Sequence, residues 1–412
     1  MRTFRLVSFA LLLIFFHWTQ GIWPAPAEAW SALRAKVSLV NKDRKVLDGA
    51  SSQVPANTFS TRGGLGYTQF CAGCHRPDGL GVKGIFPALA KRSAVVISNA
   101  SAKPAGAAFQ VFGMPSFSRL SDRTLSEILH FVRESWGENA APRVKKFRED
   151  FGVEGGQSKG FEVRYLSDLL SQPNGAQLVR GMRLLLETKA MLPKNVGNAL
   201  DCASCHLNAG TVAVGSPFTG VAASFPSYSP RAGRVITIED RINGCFLRSM
   251  NGKPLPISSA ADMKAIVAYL DWMKPSGTSP GKKEGRGVGK IDMTLRPDSK
   301  NGKRVYLAQC AACHGKEGEG LTDAHGRYIY PPLWGDNSFN IGAGMARTYT
   351  AAAFTKRNMP IGVTQNFPLG QGGLTDQEAV DVAAYFSHQP RPDFVNKAND
   401  WPKGGKPGDA RY

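Results

Sequence analysis

Apolar positions along this chain recur with a helical period in short segments, separated by stretches rich in Gly and Pro. Gln177 to Glu187 is one such segment. Three others close comparable stretches of chain: Leu125 to Val132, Ala261 to Leu270 and Asp376 to Phe386. Spacings of three and four residues put the apolar side chains of each on one helical face. Two of the closing segments carry a helix-start signal. Ser121 precedes Leu125, and Thr375 is followed three residues later by Glu378, so that side-chain oxygens can satisfy the unpaired N–H groups of the first turn. Little reads as strand. The pattern predicts an all-α protein of three consecutive small domains, at 50–142, 160–275 and 291–395.

The connections are polar. Val144 to Gly160 is a charged stretch with Lys145, Lys146, Arg148 and Glu149. Lys274 to Gly287 is rich in Pro and Gly and reads as a flexible linker, and the tail from Pro390 is similar. The first residues have the form of a secretory signal: Arg2 and Arg5, the apolar run Leu6 to Phe16, then Ala27-Glu28-Ala29 as a small-x-small cleavage site. Residues 1–29 are therefore expected to be removed, leaving an exported, periplasmic chain that starts near Trp30. An uncleaved anchor is the alternative, but the apolar run falls short of the ~20 residues of a spanning helix. No later segment reads as transmembrane.

A length of 412 residues suits about three domains at roughly 150 residues each. The net charge of +19 would attract anions, acidic proteins or anionic lipid, unless it is simply a solvated basic surface. No basic run is interleaved with aromatics, so nucleic acid is set aside.

The seven cysteines change the picture. Six fall into Cys71-Ala-Gly-Cys74-His75, Cys202-Ala-Ser-Cys205-His206 and Cys310-Ala-Ala-Cys313-His314. Cys-x-x-Cys-His is the attachment signature of a c-type haem: two thiols add to two vinyl groups, and the adjacent His ligates iron. Three covalently bound haems are expected, with His75, His206 and His314 as proximal ligands. The other axial ligand sets potential and reactivity. Met114, in Phe112-Gly-Met-Pro-Ser-Phe117, suits the first haem; His130 competes, but its helical neighbours suggest a packed histidine. Met359, in Arg357-Asn-Met-Pro-Ile-Gly362, suits the third, with Met345 as competitor. His325 and His388 read as surface residues. The middle domain has no Met-Pro loop. The odd Cys245 stands where a distal ligand is expected, with Arg241, Arg248 and Lys253 nearby. Those cations would lower its thiol pKa or bind an anionic substrate. An inert buried cysteine, Met250 as ligand and a merely solvated basic face remain open.

Residues from about Asn174 to Asp393 resemble the dihaem thiosulfate dehydrogenases. The resemblance rests on Val196 to Thr211, Arg241 to Leu255, Tyr330 to Met345, Asn358-Met-Pro360 and Gln389-Pro-Arg-Pro392. It implies a catalytic haem held by His206 and Cys245, a relay haem held by His314 and Met359, and oxidative coupling of two thiosulfates to tetrathionate. Some members of the family run the reverse reduction, and some place a Lys just before the relay Met, where this chain has Asn358. The region from about Gly64 to Pro142 resembles instead single-haem electron-transfer domains, so a candidate acceptor is fused in front. By this reading Cys245, Arg241, Arg248 and Lys253 form the catalytic site. Electrons pass from the second haem to the third and then the first, and leave to an external acceptor such as a cytochrome or terminal oxidase. The rival readings are a tetrathionate reductase, a multihaem carrier without its own substrate, and a sulfur-transfer cytochrome.

Overall fold

The computed structural model describes residues 54–82, 85–90, 117, 120–151, 164–257, 260–274, 287–361 and 373–412. The expected signal region and Met114 lie outside these residues, as does most of the 274–287 linker. The chain divides into two compact units, 1–51 and 52–412, and the described residues belong to the second. No helix among them is long and apolar enough to cross a membrane.

The fold is all-α apart from short hairpins. Its longer helices are α1 (Arg62–Phe70), α2 (Asp122–Trp136), α3 (Gly175–Leu186), α4 (Ile238–Arg248), α5 (Ala261–Trp272), α6 (Ser299–Gln309), α7 (Thr348–Asn358) and α8 (Asp376–Ser387). The expected caps are in place. Ser121 Oγ accepts from the Thr124 N–H at 3.1 Å, and Thr375 and Glu378 bond reciprocally at 3.2 and 2.9 Å. Strand is confined, among the described residues, to two short hairpins, Ser227–Ser229 with Arg234–Ile236 and Leu321–Thr322 with Tyr328–Tyr330.

Three helix pairs repeat one crossing: α1 on α2, α3 on α5 and α6 on α8. Each is made by a glycine. A Cβ added at Gly63 would sit 2.2 Å from Glu127 O and 2.9 Å from Phe131 Cβ. At Gly181 it would meet Ala265 O at 2.1 Å and Tyr269 Cβ at 2.9 Å, and at Gly302 Asp381 O at 2.1 Å and Tyr385 Cβ at 2.9 Å. Backbone therefore touches backbone, and an aromatic one turn further along the closing helix packs beside it. In the first and third pairs that aromatic meets a tyrosine four residues after the glycine: Tyr67–Phe131 and Tyr306–Tyr385 both have centroids 5.5 Å apart.

The cores are not separate. Leu178, Met182, Phe246, Ile266 and Tyr269 form the central one, joined by Leu65 of α1 and by Phe339 and Ala346 of the last third. Val82, Phe86 and Tyr330 link the first and last thirds directly. Three local readings are corrected. His130 is exposed and pairs with Glu134 at 3.0 Å, because Leu125, Ile128, Leu129 and Val132 already define the buried face of α2. Val144–Phe151, expected as linker, is a helix docked by buried Phe147 and by Arg148, which bonds Phe117 O at 2.8 Å and Asp122 at 3.0 Å. The polar tail folds back: Trp401 N–H donates to Arg231 O at 2.8 Å, and the Arg231 guanidinium lies 4.4 Å over the Trp401 ring.

Gly181→Ala and Gly302→Ala should each destabilise the holoprotein by about 1–3 kcal/mol through overpacking. Gly344, with nothing within 4 Å of its added Cβ, should tolerate Ala within ~0.5 kcal/mol. Denaturant melts of the three variants measure this; equal midpoints would contradict the crossing geometry.

Candidate functional site

The three Cys-x-x-Cys-His motifs adopt one local geometry. The second Cys N–H bonds the first Cys carbonyl at 3.2, 3.2 and 3.1 Å, and the His N–H bonds that same carbonyl at 2.9 Å in all three. Both thiols thus lie on a single turn. Each imidazole Nδ1 is engaged by a backbone carbonyl: His75 by Pro87 O at 2.8 Å, His206 by Ser216 O at 2.6 Å and His314 by Pro331 O at 2.9 Å. That bond favours the tautomer in which Nε2 is free to ligate a metal. The six motif thiols are unpaired, and burial pushes five of them up to about 12 and Cys313 to about 11. They are neutral thiols set to add to vinyl groups. The donor set fits a c-type haem at each motif.

Cys245 is different. Helix α4 starts at a reciprocal cap between Thr237 and Asp240 and carries Arg241, Cys245 and Arg248 at spacings of four and three, which share a face. The Arg241 Nη1 donates to Cys245 Sγ at 2.8 Å. Burial alone would raise this thiol. The Arg241 charge first, and then the neighbouring His206 ring, overcome that and bring it down to about 6. The surroundings of Cys245 thus favour the thiolate over the neutral thiol. It faces the imidazole whose other nitrogen is held by Ser216 O, and it is near enough to Cys202 and Cys205 to push both of those thiols further up. The Phe218 ring stacks on His206 with centroids 4.3 Å apart, backing the imidazole.

Of the three expected cations, only Arg241 is brought onto the sulfur. Arg248 is committed elsewhere: its Nη2 pairs with Asp400 at 2.6 Å and its guanidinium lies 4.6 Å over Phe394. Arg231 reaches the same carboxylate at 2.9 Å, and the Tyr412 hydroxyl donates to it. The Asp400 side chain is 4% exposed, so the tail buries a counter-charge that sequence reading missed. The signal for it was present: Asp400, Trp401 and Tyr412 in an otherwise polar tail. Lys253 lies exposed beyond the helix, tied by its backbone N–H to Asn195 O at 3.0 Å, with no ion pair among the described residues. Met250 is buried in the central core, which accounts for it without a ligand role. In the last third, Met359 caps the end of α7, whereas Met345 packs between the central and the last core. His325 and His388 are exposed.

The first and last motifs approach each other. Cys74, Ile85, Cys313 and Ile361 pack around Val82, Phe86 and Tyr330. At the same junction Arg76 pairs with Asp78 at 2.5 Å and reaches Asp323 at 3.6 Å.

Two regions match known protein families: residues 193–274 match the SoxA/TsdA cytochrome c domain and residues 299–390 the cytochrome c domain. A thiosulfate dehydrogenase from Psychrobacter arcticus is 50% identical over 58% of this chain and 70% of its own length. Another from Allochromatium vinosum is 43% identical over 55% of this chain and 82% of its own. The chain belongs to the thiosulfate dehydrogenase family. A solved family structure, thiosulfate dehydrogenase (TsdBA) from Marichromatium purpuratum, covers 84% of this chain and 73% of that one, with a TM-score of 0.58 at 27% identity. Cytochrome c domains carry covalently bound haem c, as the motif geometry requires.

If Arg241 holds Cys245 as thiolate, Arg241→Ala should weaken that hold. The thiolate-to-iron absorption of the holoprotein should then be lost at higher pH on acidification than in the wild type, because a nearby cation favours the charged form. An acid transition at unchanged pH would show that Arg241 does not set the sulfur's charge.

Proposed function

We propose that this chain is a periplasmic thiosulfate dehydrogenase that couples two thiosulfates to tetrathionate and passes the electrons through three c-type haems. The observation that carries the reading is Cys245 Sγ, which accepts from the Arg241 guanidinium at 2.8 Å beside the His206 ring. A simple electron carrier needs no sulfur ligand braced by a cation. The reaction balances as two thiosulfate dianions giving one tetrathionate dianion and two electrons, with a new bond between the two sulfane sulfurs. When bound, a c-type haem at Cys202 and Cys205 supplies a one-electron acceptor, and an electron-rich thiolate keeps its potential low.

Each protein group has a definable task. His206 and Cys245 would ligate the iron of the haem attached at Cys202 and Cys205. Ser216 O keeps the imidazole in its ligating tautomer. Arg241 is exposed as well as bonded to sulfur, so it can meet a sulfonate while bracing Cys245. Its charge offsets the repulsion between two dianions, which is the kind of pre-placed electrostatics that lowers a barrier. Arg248, paired with Asp400, holds the tail on α4 rather than contacting substrate. His314 and Met359 would hold the relay haem, and His75 with Met114 the first. The shared apolar packing of Cys74 and Cys313 supports passage of electrons from the third haem to the first, and from there to an external cytochrome or terminal oxidase.

Steady-state assays with thiosulfate plus ferricyanide, and with tetrathionate plus a low-potential donor, test the proposal. Cys245→Ala should reduce thiosulfate oxidation by at least about 100-fold, in the range of losing a principal electrostatic or nucleophilic group, while mass spectrometry still finds three attached haems. Near-normal activity in that variant would return the chain to the class of simple carriers. Met359→Ala should remove the sulfur-to-iron band of the relay haem and Met345→Ala should not; the opposite result would move the ligand to Met345.

A further inference from the structure

The segment behind His206 is where both neighbouring parts of the molecule grip the catalytic one. Four residues there other than glycine have left-handed backbone: Asn208 (φ 50°), Ala209 (φ 56°), Val214 (φ 52°) and Ser216 (φ 55°). The conformation is tolerated by Asn208 but costly for Ala209 and Ser216, and most of all for β-branched Val214. Such strain persists only where surrounding contacts over-determine it. Those contacts can be named. Leu207 N–H donates to Gly215 O at 3.1 Å, and Ser216 N–H to Gly287 O at 3.0 Å. From the first third, the Gln69 carbonyl accepts from Asn208 Nδ2 at 2.8 Å. From the last third, Asn358 Nδ2 donates to Val214 O at 2.9 Å and also to Phe354 O of its own helix at 2.9 Å.

Asn358 is 2% exposed, and its Oδ1 has no hydrogen-bond partner. A Cβ at Gly215 would come within 3.2 Å of that oxygen, so the amide lies directly against the strained loop. Its two N–H groups serve two carbonyls at once, one on each side of the interface. The loop it grips ends at Ser216, whose carbonyl holds His206 Nδ1 at 2.6 Å.

We infer that Asn358, although it belongs to the relay part of the chain, is a positioning residue for the catalytic haem. By holding Val214 O it fixes the left-handed turn that aims Ser216 O at His206 Nδ1. The inference rests on the reading that His206 and Cys245 ligate the haem attached at Cys202 and Cys205. A firm Nδ1–H···O=C bond makes an imidazole a stronger donor to its metal, and a stronger donor lowers the potential of the iron. Loosening the loop from the far side of the interface therefore raises the potential of the thiolate-ligated haem without touching either ligand.

The test is a redox titration of the full holoprotein, followed by electron paramagnetic resonance so that the thiolate-ligated haem is tracked by its own signal. Asn358→Leu keeps most of the side-chain volume and removes both donors; Asn358→Ser, too short to reach Val214 O, serves as a second variant should the first not accumulate. In either, the thiolate-ligated haem should titrate at higher potential than in the wild type and its g-values should shift, with three haems still attached. An unchanged potential and signal for that haem, or a change confined to the haem attached at Cys310 and Cys313, would overturn the inference. Absence of any thiolate-ligated signal in the wild type would instead overturn the reading beneath it.

Discussion

The structure turns on a guanidinium held against a half-buried sulfur. Without Arg241, a thiol as enclosed as Cys245 would behave like the six others in the chain, which burial drives to about 11 or 12. With it, and with His206 opposite, the same burial strengthens the attraction between unlike charges and the thiol falls to about 6. Low dielectric acts in both directions: it penalises a lone thiolate and rewards a paired one. One cysteine is thus set toward the charged side of that balance and the six motif cysteines toward the neutral side, within one chain.

Holding that pair demands rigidity from several directions. Helix α4 provides the spacing of four that brings Arg241 over Cys245. The buried carboxylate of Asp400 takes up Arg248 and Arg231, which ties the tail across the catalytic part and withdraws two cations from it. Charge at the sulfur is thereby concentrated in one guanidinium rather than spread over a basic face. His206, beside Cys245, is fixed by a loop of strained backbone. That strain is sustained because the first and last thirds of the chain both bond to it. The first and last thirds thus brace the backbone that holds His206.

Much of this was legible from residue order. The Cys-x-x-Cys-His motifs, the closing helices at α2, α5 and α8, the Ser121 and Thr375 caps and the isolation of Cys245 all follow from local patterns, and local patterns are what a sequence displays. The glycine crossings were less visible, because Gly63, Gly181 and Gly302 are marked only by what they touch on another helix. The tail was misjudged for a related reason. Asp400 acquires its role from Arg231 and Arg248, which stand more than 150 positions earlier, and polar composition alone suggested a loose end. Arg248 was assigned to substrate because its spacing from Cys245 was right; that assignment could not include a carboxylate arriving from the far end of the chain. His130 was read from its immediate neighbours, where the turn-by-turn face of α2 decides.

The most direct measurement of the central claim is low-temperature electron paramagnetic resonance of the oxidised wild-type protein beside Cys245→Ala. The account predicts one low-spin haem with thiolate ligation among three in the wild type, and none in the variant, with the remaining haem signals preserved. A wild-type spectrum lacking a thiolate-ligated haem, or a thiolate signal that survives in Cys245→Ala, would contradict it.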